Sequence, residues 1–257
     1  MTVPVAPPPV APPPADWTAA TPAQTRWRLT WKHGLAIFIA MLALVPVGGF
    51  LFVWIPSRTL GALSPAVLHL LGILISALAS LLAIYLVGIK IFRLDWPAFG
   101  VAAARAGAYW RAIGLWLLLL PLLAMILYIT REFTGATPLE AQLAWLPPGS
   151  LDDWRVLVML GLFMIVAAPI GEELFFRGVV FGTLRRMTGF WPSALLSAAA
   201  FGSAHMILAA IPPVFVLGVA LAWMYERGGS IRPPIAVHMI HNTLVFLGLL
   251  AAQLAGV

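Results

Sequence analysis

The chain has 257 residues, of which 62% are apolar and only 9% are charged, and its mean hydropathy is +0.99. Soluble domains are about half apolar and roughly a quarter charged, so this composition excludes a soluble enzyme, a nucleic-acid-binding domain and a secreted disulfide scaffold. We therefore interpret the net charge of +6 as topology signals and contacts for anionic lipid, with no nucleic acid as partner. Since the chain has no cysteine, disulfides and thiolate metal sites are excluded.

The first 33 residues are predicted to form a disordered tail that leads into the membrane. Residues 1–25 hold eight of the 22 prolines, which prevent a helix and favour polyproline II. Trp17, Trp27 and Trp31 with Arg26, Arg28 and Lys32 are predicted to form an interfacial collar before the first span.

Hydropathy predicts an all-α, polytopic transmembrane bundle of about seven to eight spans. Residues 34–150 would form an N-terminal scaffold, and residues 151–257 would form the part that carries chemistry. The seven spans are placed at about 34–56, 65–89, 112–130, 156–184, 191–210, 212–226 and 234–254. The fourth is too long for an upright helix, and it carries Pro169 and Gly171, so it should tilt, project or kink. The fifth and sixth are short enough to be re-entrant.

The basic residues predict the orientation. With the N-terminus inside, the inside segments hold 11 Lys and Arg and the outside segments hold three, with Arg177 left within a span. This bias favours a cytoplasmic N-terminus. The expected location is a bacterial plasma membrane, crossed several times.

Intramembrane polar residues concentrate in the C-terminal half. The first three spans contain almost none beyond His69. Spans four to seven contain Glu172, Glu173, Arg177, His205, His238, His241 and Asn242, with Glu226 at an edge. Because such residues are costly in the bilayer and mark function, we expect the chemistry there and a scaffold in the first three spans.

The two glutamates of the fourth span are predicted to differ. Glu173 and Arg177 are i,i+4 neighbours and can pair, which favours a structural network. Glu172 lies about 100° away without such a partner. A carboxylate in an apolar site holds a proton more readily than in water, which suits a general base near neutral pH.

The histidines follow at equal spacing. Glu172, His205 and His238 are 33 residues apart, one on each of three helices, which predicts convergence on a cavity. His238 and Asn242 share a helix face and could cradle an oxyanion, or simply bond a neighbouring helix. Counting about 1.5 Å per residue from the inside ends, however, places Glu172 and His205 near roughly 20 Å and His238 near roughly 6 Å.

Three motifs in order resemble a known family. They are EExxxR at Glu172–Arg177, FxxxH at Phe201–His205 and HxxxN at His238–Asn242. Over about residues 150–250, the sequence resembles the CPBP intramembrane proteases, which comprise the type II CAAX prenyl endopeptidases and the Abi bacteriocin self-immunity proteins. The resemblance implies an endopeptidase acting on a membrane-tethered peptide, which could be prenylated or related to a bacteriocin.

The resemblance also implies residue roles. Glu172 with His205 would activate water, His238 and Asn242 would stabilise the oxyanion, and Glu173 and Arg177 would organise the site. Zinc on Glu172, His205 and His238 stays open as an alternative, although no HExxH pair is present and metal-independent catalysis is favoured.

Other mechanisms fit less well. Ser203 and His205 are i,i+2 and point to different sides of their helix, no GxSxG is present, and every aspartate lies outside the spans. A transporter or proton relay and a catalytically silent membrane scaffold are the alternatives from other classes. The polar cluster is confined to one half, unlike the repeated halves of many transporters.

Overall fold

The computed structural model describes residues 27–55, 58, 65–144 and 149–255. These residues form helices and connecting loops, with no strand among them, which confirms the all-α bundle. The helices are α1 (Trp31–Trp54), α2 (Pro65–Ala83, continued by the π-helical Ile84–Ile91), α3 (Ala106–Thr134), α4 (Pro138–Leu143), α5 (Trp154–Met187), α6 (Phe190–Ala204), α7 (Ile211–Gly228) and α8 (Arg232–Ala255). Short 3-10 turns lie at Trp96–Phe99, Ser150–Asp152 and Leu208–Ala210.

Six helices in the described part of the chain are long and apolar enough to cross a membrane, and they correspond to six of the seven predicted spans. The predicted fifth span, 191–210, differs. Its helix α6 has 15 residues, or about 22 Å, which is short of a hydrocarbon core of about 30 Å. The chain leaves the helix at His205 and turns back into α7, against which α6 packs closely.

Helix α5 has 34 residues and is about 51 Å long, so it exceeds the bilayer core as its sequence predicted. It contains π-helical turns at Phe163–Ala167 and Glu173–Phe181. The first of them ends two residues before Pro169, which has no N–H to donate back along the helix. A wider turn at this point lets the helix continue through the proline.

The beginning of the described chain is attached to the bundle. Trp27 is buried, with its ring edge-on to Phe181 and Tyr225 at centroid distances of 5.4 and 5.2 Å. Arg28 pairs with Asp95 at 2.7 Å, and Arg186 donates to the Trp27 and Arg28 carbonyls. Trp27 therefore packs in the interior, not in the interfacial collar predicted for it.

The tail at 1–26, with Trp17 and Arg26 of the collar, lies outside the described residues. Trp31, in contrast, is about half exposed, as expected at an interface.

Helix α8 begins inside the protein. Ser230 and Ile231, just before it, are fully buried, and they bond the backbone oxygens of Ala102 and Gly100. Gly100 has φ +81° and lies against the Tyr225 ring, where a Cβ would clash. The loop between α2 and α3 thus covers the start of α8. The predicted difference in depth between Glu172 and His238 was wrong, because their side chains lie 3.6 Å apart.

Candidate active site

A sealed cluster lies on one side of α5. The Glu173 side chain is 0% exposed and the Arg177 side chain 1% exposed, and Arg177 Nη1 donates to Glu173 Oε1 at 2.9 Å. Arg177 also donates through Nη2 to the Gly218 carbonyl of α7 at 3.1 Å, and its guanidinium lies 4.4 Å from the centre of the Phe201 ring. This i,i+4 pair was predicted, and through it three helices are joined.

His238 of α8 connects this cluster to the neighbouring glutamate. Its Nδ1 lies 3.0 Å from Glu173 Oε1 and its Nε2 lies 3.6 Å from Glu172 Oε2. The imidazole is almost fully buried, whereas the Glu172 side chain is 28% exposed. Adjacent glutamates therefore lie at opposite ends of one ring, and of the two only Glu172 lines the cavity described below.

His205 is placed at the end of α6, where the helix stops. Its Nδ1 lies 3.0 Å from the Phe201 carbonyl, and its ring is edge-on to the Phe201 ring at 5.2 Å. If Nδ1 donates to that carbonyl, Nε2 keeps a lone pair and can accept a proton. The next residue, Met206, has φ +53°, an unusual backbone for a side chain of its size. This turn ends the helix beside the cavity.

Glu172 and His205 line the same cavity, of about 450 Å³. Glu172 is its one acidic lining residue among those that the structure describes. The other walls are mostly apolar side chains of α1, α2, α5 and the loop after α6. The cavity is therefore of a size typical for a ligand, with few polar groups, and it contains the carboxylate for which the sequence predicted a role in catalysis.

Asn242 takes part in a helix contact. Its Nδ2 donates to the Met164 carbonyl at 2.8 Å, within the π-helical turn of α5. Because a π turn shifts the backbone hydrogen bonds by one residue, a carbonyl there can need an outside donor. One Nδ2–H bonds the carbonyl and a second remains, so the contact leaves the oxyanion role predicted for Asn242 as a hypothesis.

The residues proposed for zinc do not form a ligand set in this arrangement. In the part of the chain that the structure describes, no three His, Asp or Glu side chains are grouped so that they could hold one metal ion. Both nitrogens of His238 face glutamates, and Nδ1 of His205 is at the Phe201 carbonyl. The hydrogen bonds at these carbonyl and carboxylate oxygens are made by the Nδ1 atoms, and they leave the Nε2 atoms of His205 and His238 without one among the described residues. The zinc alternative on Glu172, His205 and His238 therefore stays a hypothesis.

Sequence reasoning missed three contributions to the site. Helices α1 and α2, predicted as scaffold, supply cavity walls through Met41, Val45, Ile73, Ser76, Ala77 and Ser80. The Gly218 carbonyl anchors Arg177, and Trp116 of α3 donates to His241 Nδ1 at 3.3 Å. The Gly218 carbonyl has no side-chain signal in the sequence, but Trp116 and the two serines in apolar spans were visible there.

Comparisons with known proteins agree with the motifs. Residues 154–244 match the family model described as type II CAAX prenyl endopeptidase Rce1-like, which confirms the resemblance over this segment. The segment is thus similar to a family of membrane peptidases.

Two curated proteins are related to this chain. The Bacillus subtilis protein named "Putative membrane peptidase YdiL" is 31% identical over 38% of this chain and 40% of its own length. The Staphylococcus aureus protein named "Membrane-embedded CAAX protease MroQ" is 29% identical over 36% of this chain and 40% of its own. The chain thus spans about 40% of the length of these relatives. No solved structure gives a significant match.

Proposed function

We propose that this protein is an intramembrane endopeptidase that hydrolyses a peptide bond in a membrane-tethered substrate. The observation that carries the proposal is the position of Glu172. This carboxylate lies in a largely apolar cavity that it shares with His205, and its segment matches the peptidase family model. A partly exposed carboxylate beside a buried one that is already paired is the group free to act on water.

In the proposed reaction, Glu172 accepts a proton from a water molecule as the water oxygen bonds to the substrate carbonyl carbon. The C=O π electrons move to the oxygen and give a tetrahedral oxyanion. When the C–N bond breaks, the proton passes from Glu172 to the leaving nitrogen, so the enzyme returns to its starting state. His205, across the cavity, would orient the water through Nε2.

The roles of His238 and Asn242 follow from their contacts. Glu173 fixes the His238 ring through Nδ1, so Nε2 is held toward Glu172 and the cavity side. In the imidazolium form His238 donates from both ring nitrogens, so its Nε2–H would orient Glu172 in the free enzyme and stabilise the oxyanion in the reaction. The second Nδ2–H of Asn242, one turn along the same helix, would supply the other donor.

The substrate we propose is a peptide held at the membrane by an anchor. The cavity lies among helices of the bundle and its walls are largely apolar, so its occupant would come from the bilayer. One of the relatives carries the name CAAX protease, which makes a prenylated peptide one option, and a bacteriocin-related peptide is the other. We place the protein in a bacterial plasma membrane with its N-terminus in the cytoplasm.

The test is proteolysis in proteoliposomes that hold a panel of membrane-tethered peptides, prenylated and not. Wild type is compared with Glu172→Gln and His205→Ala, each with and without a chelator. We expect cleavage by wild type, a loss of about 10³-fold for Glu172→Gln and no effect of the chelator.

The other outcomes separate the alternatives. Loss of wild-type activity on chelation, restored by zinc, would replace the glutamate mechanism by a metal one. If well-folded wild type cleaves nothing, the endopeptidase proposal fails. Uptake of an ion or solute by the same vesicles would then favour a transporter, and its absence a membrane scaffold.

A further inference from the structure

The wall that α2 contributes to the cavity carries two hydroxyl groups. Ser76, Ala77 and Ser80 line the cavity together with Glu172. Ala77 is the point of close approach to α5, since a Cβ on Gly171 would lie 3.6 Å from the Ala77 Cβ in ordinary contact. The two serines, on either side of Ala77 in sequence, thus lie beside the segment that bears Glu172.

Both hydroxyls already use their hydrogen. Ser76 Oγ donates to the Gly72 carbonyl at 3.1 Å, and Ser80 Oγ donates to the Ser76 carbonyl at 3.1 Å, with the Met41 sulfur also within 3.2 Å. A hydroxyl oxygen has two lone pairs besides its one hydrogen. Each Oγ therefore keeps the capacity to accept a hydrogen bond, and both serines line the cavity.

The rise along α2 between Ser76 and Ser80 is close to the repeat of a peptide in an extended conformation. Four residues of α-helix rise by about 6 Å. In an extended peptide, N–H groups that point to the same side recur every two residues, at about 6.8 Å. The two distances differ by less than about 1 Å, so Ser76 and Ser80 can each accept from one of two alternate N–H groups.

A substrate in this cavity would need such partners. A peptide bond inside a helix is shielded, so its carbonyl can be attacked only after the segment unwinds, which frees its N–H groups. In an apolar cavity each free N–H without an acceptor is costly. Among the cavity-lining residues of the described chain, polar side chains occur only at Ser76, Ser80, Glu172 and His205, and the last two are assigned to the water.

We propose that Ser76 and Ser80 are positioning residues that accept hydrogen bonds from two alternate backbone N–H groups of an extended substrate. The inference rests on the proposed function. It gives α2, which lies outside the family match, the task of holding the peptide against Glu172. A serine that bonds only its own helix is the simpler arrangement, and the experiment separates the two.

The experiment measures kcat/KM in proteoliposomes for wild type, Ser76→Ala and Ser80→Ala. The substrate is a tethered peptide that wild type cleaves, together with versions in which one amide near the scissile bond is replaced by an ester. An ester lacks the N–H but keeps the carbonyl. We expect each alanine variant to lose about tenfold on the all-amide peptide, because an N–H of the substrate is left unpaired.

The decisive result is the coupling between serine and substrate. When the ester is at one particular position, the kcat/KM of Ser80→Ala should be within about twofold of that of wild type on the same ester peptide. The ester position that has this effect for Ser76→Ala should lie two residues away along the substrate. The matched control is Ser203→Ala on α6, whose residue does not line the cavity and whose activity should equal wild type. Melting temperatures in detergent check that all variants fold alike.

Two results would overturn the inference. Equal losses on amide and ester peptides, or activities equal to that of Ser203→Ala, would assign both serines to the helix alone while leaving the proposed function intact. If wild type and Glu172→Gln both cleave nothing, the proposed function fails and this inference fails with it.

Discussion

Glu172 and Glu173 are neighbours in the chain, but they belong to two different regions of the molecule. Glu173 lies in the sealed cluster with Arg177 and His238, where the glutamate is 0% exposed. Glu172 lies at the cavity, 28% exposed. A buried carboxylate that is paired with arginine is suited to holding helices together, whereas one at a cavity is placed to meet a substrate. The two glutamates therefore have different surroundings, and we expect a structural role for Glu173 and a chemical one for Glu172.

The largest expected effect is the difference in stability between Glu173→Gln and Glu172→Gln. Glu173→Gln leaves the buried Arg177 charge without compensation, which should lower the free energy of unfolding by about 3–5 kcal/mol. Glu172→Gln removes a partly exposed charge and should change it by no more than about 0.5 kcal/mol. Thermal unfolding in one detergent compares them.

The double variant Glu173→Gln/Arg177→Met is the control for this comparison. It removes both charges, so it should be more stable than Glu173→Gln alone. Similar melting temperatures for the two single glutamine variants would show that the sealed cluster does not stabilise the fold, and the comparison between the two regions would break down.

Asn242 gives the next largest expected effect. Asn242→Ala leaves the Met164 carbonyl of the π turn without its 2.8 Å donor, which should cost about 1–2 kcal/mol. If Asn242 also stabilises the oxyanion, kcat/KM falls by about 10²-fold or more. Measuring both quantities separates the roles, because a purely structural asparagine would lower the melting temperature and leave cleavage near wild type.

The sequence predicted the fold class and most spans, because long apolar runs in a bilayer can only be helices. It also predicted the Glu173–Arg177 pair, whose i,i+4 spacing is local. What it could not predict depends on contacts between distant segments. The cavity walls on α1 and α2, the buried start of α8 at Ile231 and the end of α6 at His205 all arise from packing. The roles of Glu172, His205, His238 and Asn242 stay predictions.

A smaller effect should come from the link between α3 and α8. Trp116→Phe keeps an aromatic ring but removes the N–H that bonds His241 at 3.3 Å, and the smaller ring leaves a gap because Trp116 is buried; together these should cost about 1–2 kcal/mol. We expect kcat/KM to stay within about twofold of wild type, since a single neutral hydrogen bond is lost away from the cavity. A much larger fall in kcat/KM at an unchanged melting temperature would instead show that α3 positions His238 through His241.

The smallest effect should come from the exposed ion pair of Arg28 and Asp95. Arg28 and Asp95 are as close as Arg177 and Glu173, at 2.7 and 2.9 Å, but their side chains are 48% and 55% exposed. Exposed pairs contribute at most about 1 kcal/mol, so Asp95→Asn should be nearly silent at neutral pH and in high salt.

The pH dependence of this pair has a definite sign. The Arg28 side chain, through its hydrogen bond to the Asp95 carboxylate, lowers the pKa of Asp95 below its ordinary value. A lowered pKa in the folded state means that the stabilisation is complete above the unfolded value, about 3.9, and is lost as the pH falls through the folded one. Melting temperatures between about pH 6 and pH 3 should therefore fall slightly more for wild type than for Asp95→Asn. Parallel curves would show that the pair holds Arg28 in place without stabilising the fold, and that burial, not distance, decides what an ion pair contributes here.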